Sequence, residues 1–293
     1  MCLKPTQNMN KFLPKSLGFL LLLNFLSLAA DFQNLYSPDG LIDQAVLGLQ
    51  QEKPYLGVSR LLALLQHGGL APLQAAWLLA FSYVGLCVWL IFSKRPCIPA
   101  AYLLPLQISI FGIVNQFSYG MDYIATSLLC YCIILPKEES AYYGRYVKLI
   151  QIHLCLVYFF GGLDKLLGYN WWNGEALWKA LNLPYFNLDM PIPLETLAKY
   201  PLLLQVGGWL VILLEMLYPL CIWLRPTKTI WLWAAVAMHL MIALVFNLYA
   251  FSLLMIFWNL AAFGQPGQMP MKPPRRLKKL LQINPNVQPE PLR

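Results

Sequence analysis

The residues of this chain that could do chemistry are few, and most fall where charge is costly. Glu215, His153 and His239 lie inside long apolar runs, Asp164 and Lys165 close one run, and Asp122 opens another. A charged side chain at membrane depth costs about 2.5–3.5 kcal/mol on insertion scales, so the few that are kept are candidates for function. At the helical rise, Glu215 and His239 each sit ~14 Å from the inner end of their run and His153 ~9 Å, so neighbouring helices could bring the three level. Such a cluster is either a buried proton-handling site or a clasp in which a neutral glutamic acid and neutral imidazoles satisfy one another.

The densest stretch of unusual residues runs from Tyr158 to Trp178, at a helix end and the outer interface that follows it. Gly161 and Gly162 permit close helix approach, Gly168 and Gly174 permit turns, and Trp171, Trp172 and Trp178 are rings suited to headgroup level. Lys165, at the end of this glycine-thinned helix, either snorkels to the surface or turns inward and loses its proton, which would make it a base. The catalytic candidates are therefore Lys165, the adjacent Asp164 and nearby Glu175. Tyr158, Trp171, Trp172 and Asp122 are candidates for binding a substrate.

The elements that must position these residues are membrane helices. Of 293 residues, 59% are hydrophobic and 12% charged, against roughly 25% charged in a soluble domain, so lipid is the fitting solvent. Lys4, Lys11 and Lys15 precede an apolar run beginning at Ser16, which continues through Phe32, Leu35 and Tyr36 as a first span. A signal peptide with its cleavage site around Ser27 and Ala29 is the alternative. Residues 37–70 mix charge with leucine and suit interfacial amphipathic helices. Further spans are expected over 71–93, 97–117, 120–135, 147–166, 201–224, 230–247 and 249–263. The third and fourth spans, and the last two, are joined by few residues and should form tight hairpins, in which the shorter members could be incomplete crossings.

The expectation is thus an all-α polytopic membrane protein, a bundle of about eight transmembrane helices, with six as the lower reading. Residues 1–264 form one transmembrane domain and 265–293 a Pro-rich basic cytoplasmic tail. Basic residues gather on one side, including Lys94, Arg95, Lys137, Arg145, Lys148, Arg225, Lys228 and the tail cluster Arg275, Arg276, Lys278 and Lys279. The opposite side keeps Lys53, Arg60, Lys165, Lys179 and Lys199. By the positive-inside rule both termini are cytoplasmic, in a plasma (inner) membrane. The formal charge of +8 is thereby explained without nucleic acid, since the bases form no single patch. No metal site is expected, because Cys130 and Cys132 stand two apart and point in different directions on a helix. Nor is there a phosphate-binding glycine loop, a nucleophile elbow or a zinc-ligand pair.

The chain resembles the HTTM family, the membrane domain shared with vitamin K-dependent gamma-carboxylases and many bacterial proteins. The resemblance rests on Tyr158, Gly162, Lys165, Trp172, Gly174 and the Ala-Leu-Trp run at 176–178, on Leu-Tyr-Ser-Pro-Asp-Gly-Leu at 35–41, on Glu215-Met-Leu-Tyr-Pro219, and on His239 followed by Phe246 and Phe251. In the carboxylase the lysine of the corresponding Gly-x-x-Lys pattern is the base that deprotonates reduced vitamin K, and Lys165 occupies that position. The resemblance implies proton chemistry on a quinone-like or lipid-like molecule, with a quinone-like reduced cofactor, or on an exported peptide, with membrane lipids and a membrane redox partner as associates. A non-enzymatic carrier or partner-binding subunit is the alternative. Departures from the carboxylase argue against gamma-glutamyl carboxylation. Asp164 stands where it has another lysine and is expected to pair with Lys165, Asp122 stands near where it has a histidine, and its large luminal domain has no counterpart here.

Overall fold

A computed structural model of the chain describes residues 9–29, 31, 57–111, 120–183 and 194–264, and these form helices joined by turns. The long helices are α1 (Met9–Leu28), α3 (Pro72–Phe92), α6 (Tyr143–Leu167), α10 (Pro201–Cys221) and α11 (Arg225–Phe246), and all five are long and apolar enough to cross a membrane. Three shorter apolar helices accompany them, α4 (Cys97–Phe111), α5 (Gly120–Ile133) and α12 (Tyr249–Phe263). The remaining elements are the amphipathic α2 (Val58–His67), and α7 (Tyr169–Trp172), α8 (Glu175–Leu181) and α9 (Leu194–Ala198), which lie between α6 and α10.

Outward positions of the long helices carry Trp77, Phe81, Trp89, Leu203, Leu210 and Trp233, all exposed. An apolar surface of that extent has no stable contact with water, and lipid accommodates it. With its composition and helices, the chain is a membrane protein.

Two differences from the expected boundaries have physical causes. The first helix runs from Met9 to Leu28 and so starts ahead of the expected Ser16, because the exposed Lys11 and Lys15 do not interrupt the buried stripe of Leu13, Leu17 and Leu21, and that packing outweighs the one backbone hydrogen bond that Pro14 forgoes inside the helix. A turn then ends it, Asp31 N donating to Leu28 O. Of the segment expected to be interfacial, only α2 lies within the described residues. The ends of α11 and α12 meet where expected: Asn247 adopts φ 55, left-handed backbone that asparagine tolerates and that stops a helix.

Packing makes one bundle. α6 and α10 form the most extensive pair, α11 packs on α12, and α1 packs on both α3 and α12. A Cβ on Gly162 would lie 2.9 Å from both Glu215 Cβ and Met216 N, so glycine is what allows the α6 backbone to approach α10 this closely. Gly208 has the same role two turns from the start of α10, where any Cβ would collide with the Trp171 carbonyl oxygen. Phe12 meets Phe257 edge to face at 5.9 Å, and Gln151 Nε2 donates to Ala262 O at 2.6 Å. The start of α1, the start of α6 and the end of α12 therefore share one end of the bundle, the end that also carries the basic loops.

Candidate functional site

Lys165 turns inward. It lies in the last turn of α6, and its Nζ is 2.9 Å from Glu215 Oε2 on α10, donates to Gly161 O at 3.2 Å, and sits 5.2 Å from the centre of the Trp171 ring. Glu215 is 8% exposed. The carboxylate contact is a close ion pair whose angles fall outside hydrogen-bond geometry, since Oε2 has no hydrogen-bond partner among the described residues. Three features hold the lysine there: the absence of side chains at 161 and 162, the buried carboxylate on the facing helix, and the indole face of Trp171 over the ammonium.

Asp164 is exposed and forms no ion pair with Lys165. Adjacent residues on a helix diverge by about 100°, so a lysine that turns inward leaves its neighbour facing out. The expected Asp164–Lys165 pairing is thus replaced by Lys165–Glu215. Glu175 forms no ion pair with Lys165 either. It opens α8 and pairs with Lys179 one turn on at 2.7 Å, with Asn173 Nδ2 at 3.5 Å from its other oxygen. These hydrogen bonds, with the charge of Lys179, hold its carboxyl below the usual value. Trp172 is an anchor: its Nε1 donates to Leu166 O at 2.8 Å, and its carbonyl accepts from Trp209 Nε1 at 3.0 Å.

Deeper in the bundle, a hydrogen-bond chain links four helices. Tyr218 OH (α10) donates to Asn259 Oδ1 (α12) at 2.6 Å, Asn259 Nδ2 donates to Tyr158 Oη (α6) at 2.8 Å, and Tyr158 Oη lies 2.9 Å from His239 Nε2 (α11). The Tyr158 and Tyr218 rings stack at 4.0 Å, and all four residues are buried. Asn259 Nδ2 also donates to Met255 O at 2.8 Å, and because a carbonyl can only accept, the amide orientation is fixed. Tyr158 Oη then accepts from Asn259 and gives its proton to His239 Nε2. This direction is assigned because it alone gives the Tyr158 hydroxyl proton an acceptor within the chain, and it puts the imidazole proton on Nδ1, a buried nitrogen with no partner among the described residues.

Lys165 lies two turns above Tyr158 on α6, and Glu215 lies one turn from Tyr218 on α10. Because α6 and α10 pack along their length, pair and chain follow one another along the same interface as a polar seam. Glu215 and His239, expected to come together, have different partners, Lys165 for the first and Tyr158 for the second. His153 does not join them. It faces the other way on α6, its Nδ1 2.8 Å from Tyr131 Oη and its ring 5.1 Å from that of Trp258. Asp122 is buried in the first turn of α5, within 3.5 Å of Gln107 Nε2, while Tyr83 OH donates to Gln107 Oε1 at 2.5 Å. That cluster belongs to α3, α4 and α5.

Asn259 and Tyr218 are central to the seam and were not among the sequence candidates. A search confined to charged residues and histidines passes over an asparagine inside an apolar run, although its amide is nearly as hard to leave unpartnered in lipid.

No curated protein and no solved structure matches the chain. A family model described as HTTM domain matches residues 136–265, which take in α6 to α12 and every residue of the seam. The 35–41 segment of the resemblance lies outside both the matched span and the described residues. Over residues 136–265, then, the chain is similar to the HTTM domain.

Proposed function

We propose that this is a membrane enzyme or maturation factor of the HTTM type in which Lys165 acts as a base on an apolar, weakly acidic substrate, with Glu215 as its proton partner. The observation that carries the reading is the inward lysine paired across the α6–α10 interface with a buried carboxylate instead of with its neighbour Asp164. In a partly desolvated pair the proton is shared between two states. In one, an ammonium faces a carboxylate; in the other, a neutral amine faces a carboxylic acid, and the second leaves a lone pair on Nζ. The amine removes a proton from the substrate, and the developing anion meets the ammonium just formed. The Nδ1–H of His239, unpartnered beside the chain, is a donor suited to a carbonyl or phenolate oxygen.

A quinone-like or lipid-like molecule fits these features, and an exported peptide with an acidic side chain is the other substrate class. Asp164, Glu175 and Trp172 are assigned to the outer surface around the site. The setting is a plasma (inner) membrane crossed eight times with both ends cytoplasmic. The non-enzymatic alternative, a carrier or partner-binding subunit, has in its favour that Lys165 and Glu215 satisfy one another as a clasp.

The test is to purify wild type and Lys165→Ala in detergent and compare co-purifying molecules by native mass spectrometry. A quinone-like or peptide ligand present only in wild type, with both proteins folded, supports the enzyme. Phospholipid alone in both turns the reading to the clasp.

A further inference from the structure

The basic end of the bundle holds a second feature, remote from Lys165. Three separate segments converge there: the first two turns of α1, the turn joining α3 to α4, and the residues that follow α5. Between them lies a cavity of about 850 Å³. Lys11, Lys15, Lys94, Arg95 and Lys137 line it, against two acids, Glu138 and Glu139. The five basic residues are exposed, and the only ion pairs among the described residues, Lys165–Glu215 and Lys179–Glu175, leave all five uncompensated. Two of the walls are tied together by Asn10 Nδ2 on α1 donating to Pro136 O at 3.2 Å, and the α3–α4 turn is braced internally by Arg95 N donating to Ser93 Oγ at 3.0 Å. The lining also has an apolar part, Phe92 and Leu135 being accessible and Pro14 and Leu90 buried.

The positive-inside rule accounts for cations at this end, but it has no need of a concavity and no need of an apolar wall beside the charges. A charged rim beside an apolar wall, at the mouth of a membrane bundle, matches the two halves of an amphiphile. We infer that this cavity is a binding site for an anionic phospholipid, its phosphate held by Lys15, Lys94 and Arg95 and the start of its acyl chains laid against Phe92 and Leu135. A free phosphate ester shares the headgroup chemistry but would leave the apolar wall unused, so the lipid is the occupant argued for. The site is independent of what Lys165 does.

The experiment uses the full-length protein in an uncharged detergent and measures binding of phosphatidylglycerol, phosphatidylcholine and glycerol 3-phosphate by native mass spectrometry. Wild type should hold phosphatidylglycerol in preference to both others. Lys94→Gln with Arg95→Gln should weaken it by about fivefold for each charge removed. Arg145→Gln with Lys148→Gln removes two charges from the same end of the bundle outside the cavity and should leave binding unchanged, and the swap Lys94→Arg with Arg95→Lys should retain it. Equal weakening by the two Gln pairs would reduce the effect to general charge attraction and overturn the site. Phosphatidylcholine bound as well as phosphatidylglycerol, or glycerol 3-phosphate bound as well as the lipid, would overturn it too. Should the cavity variant fail to melt cooperatively, the three-ligand comparison on wild type and the charge swap decide the matter.

Discussion

At the scale of single residues, the geometry separates a pair that is costly to break from one that is costly to keep. With side-chain exposures of 20% for Lys165 and 11% for Glu215, removing one partner leaves a poorly solvated charge, and Lys165→Met should cost about 2–3 kcal/mol. Lys165→Met with Glu215→Leu should recover most of that loss, because neither charge is then stranded. A double-mutant cycle of thermal unfolding in detergent reads the coupling, and additive losses would mean that the two side chains do not interact. The hydrogen-bond chain makes an equally specific claim about His239: its proton is on Nδ1 because Tyr158 gives its own to Nε2. Nitrogen chemical shifts of labelled histidine should show a bare Nε2, and Tyr158→Phe, which strands both His239 and Asn259, should cost about 1–3 kcal/mol. Lys165 could be singled out from sequence because a lysine beside two glycines at a span end is rare. Its partner could not, since Asp164 is adjacent in the chain and Glu215 fifty positions away, and only helix packing decides between them.

The helices themselves were legible because hydrophobic runs in this chain are long and bounded by charge or proline, as at Pro201 and at Pro226 in the first turn of α11. Their starts were less so: α6 begins at Tyr143, ahead of the expected 147, because Tyr143 and Tyr146 are buried against the bundle and extend the packed face beyond the apolar run. The crossing of α6 and α10 was foreshadowed by Gly161 and Gly162, but sequence could not say which of the two touches the facing backbone. It is Gly162, and Gly162→Ala should push the helices apart and cost about 1–3 kcal/mol, the range of overpacked cores. Gly161→Ala, whose added carbon would sit at ordinary contact distance, 3.6 Å from Glu215 Oε2, should be nearly neutral. Melting both variants checks the assignment, and equal losses would remove Gly162 from the interface.

For the molecule as a whole, the number of crossings turns on how a helix as short as α12, of 15 residues, sits in a bilayer. At the helical rise, α12 is ~22 Å long, short of a hydrocarbon core of about 30 Å, and the described parts of α4 and α5 measure ~21–23 Å. Each packs against longer neighbours, α5 and α12 on α1 and α4 on α3, so protein rather than lipid can cover the ends the helices do not reach. Both hairpins begin and end on the same side whether or not they cross fully, so counting helices at the two termini cannot separate eight spans from six. Labelling at the turn between α11 and α12 can. In a cysteine-free background, an impermeant thiol reagent applied from outside intact cells should modify Asn182→Cys, which follows α8 beyond the outer end of α6, and should leave Ser140→Cys, just before α6, unmodified. Asn247→Cys should behave like Asn182→Cys, because α11 starts at the basic end with Arg225 and its 22 residues are long enough to bring Asn247 to the opposite face. A label at Asn247 reachable only after permeabilisation would make α12 the return limb of an incomplete crossing, and Asn259 and His239 would then line a wet re-entrant cavity instead of a sealed seam.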